Sequence, residues 1–129
     1  RQGVTDLDKA ALIQDWFKTN FQYTLKIGKI PPEVDPTVYF IQKRMPAFCS
    51  WFASGMVLML RSLNIPAHIA NGWLDMEYNT ISRYWVIRER EAHAWVEVLD
   101  IKSRQWITFY PTSPNQLEQV MKENCWWKF

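Results

Sequence analysis

PAFCSWFASGMVLML, residues 46–60, places a cysteine at the head of an apolar helix. Cys49, Phe52, Ala53, Met56, Val57, Leu60 and Leu63 recur at the helical period, so the spacing predicts a helix from about Cys49 to Leu63. Asn64 suits the left-handed position after that helix, and Pro66 blocks its continuation. A cysteine in mid-helix would pack as a small apolar residue. In the first turn it meets unpaired backbone N–H groups, whose partial positive charge favours the thiolate. The stretch therefore asks whether Cys49 is a nucleophile or a packed thiol.

Upstream, TDLDKAALIQDWFKTN (5–20) reads as an amphipathic helix. Thr5 or Asp6 can cap it, Ala10, Ile13 and Phe17 form its buried stripe, and Leu7 and Trp16 join them. Phe21 to Leu25 alternate like a short strand, IGKIPPEVDPT (27–37) is a proline-rich surface loop, and VYFIQKR reads as a short helical turn. Downstream, strands are expected over Ala67–Trp73, Arg83–Arg88, Ala92–Val98 and Arg104–Phe109. DMEYNTIS, RERE and DIKS are the polar turns between them. PNQLEQVMKENCWWKF reads as a C-terminal helix with exposed aromatics, and there are no internal repeats. Helices followed by adjacent strands indicate an α+β fold, with an antiparallel sheet packed against the Cys49 helix.

Composition narrows the function classes. The chain has 129 residues, enough for one domain with a real core, and is 48% hydrophobic and 22% charged. A net charge of +2 with no basic run gives nucleic-acid binding little support. Two cysteines make no disulfide framework, and with two histidines at these spacings they make a poor metal set. No signal peptide or membrane-length apolar run is present, and the first residue is Arg, as in a domain excised from a longer chain. Eight Trp, seven Phe and five Tyr suit either core packing or an aromatic-walled groove.

His93 lies in the alternating strand AHAWVEV. Alone, each of Cys49 and His93 has an ordinary structural explanation. Together, a cysteine at a helix start and a downstream strand histidine form the arrangement a thiol nucleophile needs. A third group should accept the other ring N–H of the histidine, and the next strand and turn, WITFYPTSP, brings no carboxylate.

FCSWFASGMVLMLRSLNIPAHIANGW, YWVIREREAHAWVEV and WITFYPTSP, in that order, resemble the transglutaminase-like superfamily. The nearest likeness is to the transglutaminase-core domains of bacterial membrane-anchored proteins. FQYTL and DPTVYFIQKR fit as well, and the resemblance spans about residues 8 to 114, leaving 115–129 as a C-terminal tail. It implies a papain-like core with a Cys–His–Asp triad, in which Cys49 falls on the nucleophile, His93 on the base and Tyr110 on the acid. Ala47, Ser50, Asn64, His68 and Glu91 are further departures, standing where the pattern has Gly, Glu, Gly, Arg and Asp.

A tyrosine oxygen can hold the histidine tautomer but cannot stabilise imidazolium as a carboxylate does. In a serine triad that loss costs about 10⁴ in turnover, whereas a cysteine site tolerates a neutral partner. Glu91 is the local alternative acid, because Glu97 lies about 13 Å along the strand from His93. The Cys49 N–H would form one oxyanion donor, with Gln42 and Tyr39 as candidates for the second. Trp51, Trp73, Tyr84 and Trp85 are groove candidates, each with core or edge packing as its plainer role. His68 reads as a surface polar residue, Cys125 as an uninvolved thiol, and the aromatics of ENCWWKF as either interfacial anchors or a cap on the domain.

The resulting expectation is a cysteine protease or transglutaminase-type acyl transferase acting on a peptide or protein. No cofactor or metal is expected, because no acidic cluster of calcium-ligand kind appears. The alternatives are a catalytically degenerate peptide-binding module and an ordinary structural domain of a larger membrane protein. By analogy with the bacterial relatives, the domain belongs outside the cytoplasm, with a membrane-embedded remainder of the same chain. Oligomeric state is left open.

Overall fold

Thr5 and Asp8 close a capping box on the first helix: the Thr5 N–H donates to Asp8 Oδ2 and the Asp8 N–H donates to Thr5 Oγ1, each at 3.1 Å. In the computed structural model, which describes residues 4–73, 77–86 and 92–113, this helix (α1) spans Asp6–Asn20 and buries Ala10, Ile13 and Phe17. The expected strand over Phe21–Leu25 is reduced to one parallel bridge between Tyr23 and Ala47. The Thr24 N–H donates to the Ala47 carbonyl at 2.8 Å, and the Ala47 N–H donates to the Gln22 carbonyl at 3.1 Å. That bridge ties the chain leaving α1 to the approach to Cys49.

Asp35 starts the second helix (α2, Pro36–Lys43), its Oδ1 accepting from the N–H groups of Thr37 and Val38, with Pro36 in the first turn. Arg44 then turns left-handed at φ 49° and ends it. The third helix (α3) spans Cys49–Ser62 and buries Cys49, Phe52, Ala53, Gly55, Met56, Val57 and Leu60. Leu63 departs from the expected stripe and is exposed. Asn64 takes φ 60°, the Ile65 N–H returns to the Leu60 carbonyl, and buried Ile65 fills the core beyond the helix end.

Five strands follow: β1 (Ala67–Trp73), β2 (Glu77–Asn79), β3 (Tyr84–Val86), β4 (Ala92–Asp100) and β5 (Gln105–Phe109). β1, β4 and β5 form an antiparallel sheet in the order β1-β4-β5, and β2 pairs with β3 as a separate hairpin. β2 corrects the reading of DMEYNTIS as a turn throughout. Three residues are too few to display alternation, and the hairpin closes on Asn79, whose Oδ1 accepts from Ile81 and Ser82, with Arg83 at φ 58°. Arg104, expected to open β5, sits at φ 57° in the preceding turn. The expected tail helix, Glu91 and Cys125 lie outside the described residues.

The fold is α+β, with an antiparallel sheet on the cysteine-bearing helix. Ala94, Val96 and Val98 of β4, Ala67 of β1 and Phe109 of β5 enter one core with α3. Phe17, Phe21, Phe40 and Phe52 fill its helical side, with ring centroids 4.9 to 6.3 Å apart. Each buried phenylalanine removes enough apolar surface to be worth about 1.5–3 kcal/mol.

Candidate active site

Cys49 is the first residue of α3, 8% exposed, with a free thiol. The preceding Phe48 makes no side-chain cap, and its carbonyl takes the Trp51 and Phe52 N–H groups, so the thiol sits at the positive end of the helix dipole. The Tyr23 hydroxyl, delivered by the bridge to Ala47, hydrogen-bonds both the Cys49 backbone N–H and the Cys49 thiol. Burial first, and the adjacent Cys49 sulfur second, push the Tyr23 phenol well above its usual range. Its ring also packs 6.1 Å from that of Phe52, one turn along α3.

His93 is the second residue of β4, which packs on α3, and is 5% exposed. Burial lowers its pKa, favouring the neutral imidazole. Its Nδ1 is buried without a hydrogen-bond partner, so neither the Cys49 thiol nor the Tyr110 hydroxyl is bonded to that nitrogen. Thr112, just beyond Tyr110, likewise keeps a buried, unpartnered Oγ1. Orphaned buried polar atoms of this kind are uncommon in folded proteins.

Tyr110 is 47% exposed, and its N–H donates to Gln14 Oε1 at 2.8 Å. Its ring meets Trp95 at 6.4 Å, and Trp95 in turn stacks 6.2 Å from His93. Gln42 is exposed on α2, and Tyr39 lies half-buried with Lys43 Nζ 6.0 Å from its ring. The hydroxyl on Cys49 is that of Tyr23, a residue outside the predicted site. FQYTL, already part of the family resemblance, was the available signal.

Of the groove candidates, Trp51 is partly buried against the core with its ring 5.8 Å from Phe40, whereas Trp73, Tyr84 and Trp85 are exposed. Trp85 pairs with Tyr78 across the hairpin at 5.4 Å. His68 is more engaged than a free surface residue: its Nε2 meets Glu97 Oε1 at 2.6 Å and its ring lies 4.0 Å from Trp106. Glu97 is thereby committed to His68. No group of three or more metal-ligating side chains occurs among the described residues.

The profile of the transglutaminase-like superfamily matches residues 1–111, and the chain belongs to that family. The protein-glutamine gamma-glutamyltransferase of Pseudomonas aeruginosa is 32% identical over 119 residues, covering 88% of this chain and 17% of that protein. YebA of Bacillus subtilis is 32% identical over 111 residues, covering 81% of this chain and 15% of YebA. The crystal structure of the periplasmic domain of TgpA from P. aeruginosa superposes with a TM-score of 0.77 at 27% identity, over 94% of this chain and 42% of that one. This chain thus spans less than a fifth of the curated relatives it matches. No helix among the described residues is long and apolar enough to cross a membrane.

Proposed function

We propose that this domain carries out thiol-dependent acyl transfer on peptide amides, outside the cytoplasm, as part of a longer membrane-anchored chain. The observation that carries this reading is Cys49 at a helix N-terminus, on a helix packed against the strand of a buried histidine whose pKa burial lowers. Neutral His93 is in the state that can accept a proton. It takes the thiol proton, the sulfur attacks the amide carbonyl, and His93 returns the proton to the leaving amine. Water or a second amine then takes the acyl group from sulfur. Tyr110 supports His93 in place of the family acid, and the Trp95 ring that both contact is the route of that support. The name of the Pseudomonas relative points to glutamine side chains as acyl donors.

The test is alkylation of Cys49 against pH in a Cys125→Ser background, with and without His93→Ala, followed by transfer of a fluorescent amine to a glutamine peptide. Alkylation that persists below the ordinary thiol range and collapses without His93, together with amine incorporation, supports the reading. The second reading, a degenerate peptide-binding module, is favoured by the exposed Tyr110 and the unbonded Nδ1 of His93. It predicts alkylation indifferent to His93 and no incorporation.

A further inference from the structure

We infer that Thr112 is a positioning residue for His93: its hydroxyl holds one nitrogen of the imidazole, so that the other exchanges the proton with Cys49. Among the described residues, two buried side-chain polar atoms lack a hydrogen-bond partner, His93 Nδ1 and Thr112 Oγ1. The sheet sets their residues against each other. β4 and β5 pair with Glu97 against Thr108 and Val96 against Phe109. The same register, carried past Phe109, puts Tyr110 against Trp95, Pro111 against Ala94 and Thr112 against His93. Side-chain placement follows it: the Tyr110 and Trp95 rings meet at 6.4 Å, Pro111 and Ala94 are both buried, and Thr112 and His93 are 3% and 5% exposed. On the other side of β4, His93 pairs with Gly72, which has no side chain to offer. Thr112 is therefore the cross-strand neighbour with a hydrogen-bonding group for the ring.

Two buried polar atoms on opposed residues each carry a desolvation cost, and one hydrogen bond between them removes both. Directly opposed residues hold their Cβ atoms about 4.5–5.5 Å apart, a span that an imidazole and a threonine hydroxyl close directly or through one water. The hydroxyl oxygen accepts a ring N–H from the neutral imidazole and from imidazolium alike. With that N–H held, the other nitrogen is bare, takes the thiol proton, and gives it to the leaving amine. The hydroxyl carries no charge, so it fixes tautomer and orientation without the electrostatic part of a carboxylate's role. A thiol at the positive end of α3 needs less of that part than a serine would. Tyr110, 47% exposed, then acts by packing, steadying the indole that stacks on His93.

The inference rests on the acyl-transfer reading for its proton-transfer role; the hold on the ring is tested without it. In the Cys125→Ser background, Thr112→Val removes the hydroxyl at nearly constant shape, and Thr112→Ser keeps it. The direct readout is the ¹⁵N spectrum of the His93 ring, assigned against His93→Gln. Thr112→Val should change its tautomer balance, and Thr112→Ser should restore the wild-type spectrum. In amine transfer, kcat should fall about 10-fold in Thr112→Val with KM little changed, as for loss of one hydrogen bond, and recover in Thr112→Ser. The midpoint of the alkylation–pH curve should rise in Thr112→Val, and the rise should vanish in a His93→Ala background, because Thr112 acts through the ring. A ring spectrum indifferent to Thr112→Val overturns the inference. Where wild-type alkylation responds to His93→Ala, an unmoved midpoint in Thr112→Val, or a shift that persists without His93, overturns Thr112 alone. If wild-type alkylation ignores His93→Ala, the acyl-transfer reading falls, and the ring spectrum decides whether Thr112 holds His93.

Discussion

Gly72 pairs with His93 across the β1–β4 ladder, and its missing side chain is space that Trp95 uses. A Cβ there would stand 2.5 Å from Trp95 Cη2 and 3.2 Å from Cζ3. Gly72→Ala therefore displaces the indole that stacks on the His93 imidazole. Trp95 is only partly buried and can yield, so the fold survives with a melting temperature a few degrees lower. Amine transfer should drop about 10²-fold, the usual consequence of an ångström-scale misplacement near a reacting group. Transfer at the wild-type rate would mean that Trp95 does not position His93. His68 offers the contrast. Its pair with Glu97 is 40% and 30% exposed, where ion pairs are worth about 0–1 kcal/mol. His68→Ala should cost roughly that much in urea unfolding and leave the alkylation–pH curve in place, whereas His68→Arg places a permanent cation beside Glu97 and should cost less.

At the scale of elements, α3 does two jobs, presenting Cys49 at its start and filling the core along its length. Gly55 shows how tightly the second job is set. A Cβ there would lie 2.9 Å from Phe17 Cζ and 3.2 Å from Phe40 Cε2. Both rings are buried in the aromatic cluster and have nowhere to move. Gly55→Ala gains about 1 kcal/mol of helix propensity, but overpacking costs about 1–3 kcal/mol, so a net loss is expected in thermal or urea unfolding. A more stable variant would show that the cluster is loose. The helix was legible because its apolar period is local, as was its left-handed stop at Asn64. β2 was hidden by its brevity, and Leu63 was misplaced because the turn at Asn64 lets Ile65 fill the core. Cys49 and His93 stood out by residue type and local setting. Tyr23 did not, because the bridge that carries it to Cys49 joins segments 24 residues apart, a pairing that no local pattern encodes.

For the molecule as a whole, burying a neutral histidine couples stability to pH. The folded-state pKa of His93 lies below its ordinary value of 6.5 because burial penalises the charged ring. As pH falls through 6.5, unfolded chains take up a proton at this position while folded ones do not. Stability at position 93 is thus fully present above the unfolded pKa, erodes as pH drops, and stops eroding once the folded pKa has been passed. Acid lowers the melting temperature of most proteins, so the informative quantity is a difference. His93→Gln removes the titrating ring and keeps a polar side chain. Between pH 7 and 5 the wild-type melting temperature should fall more steeply than that of the variant, the two curves converging toward acid. Parallel curves would mean that His93 meets protons equally in both states and is not held neutral. The same burial bears on the proposed acyl transfer, in which His93 takes the thiol proton: it favours the neutral ring that reading needs and makes the ring a source of instability in acid.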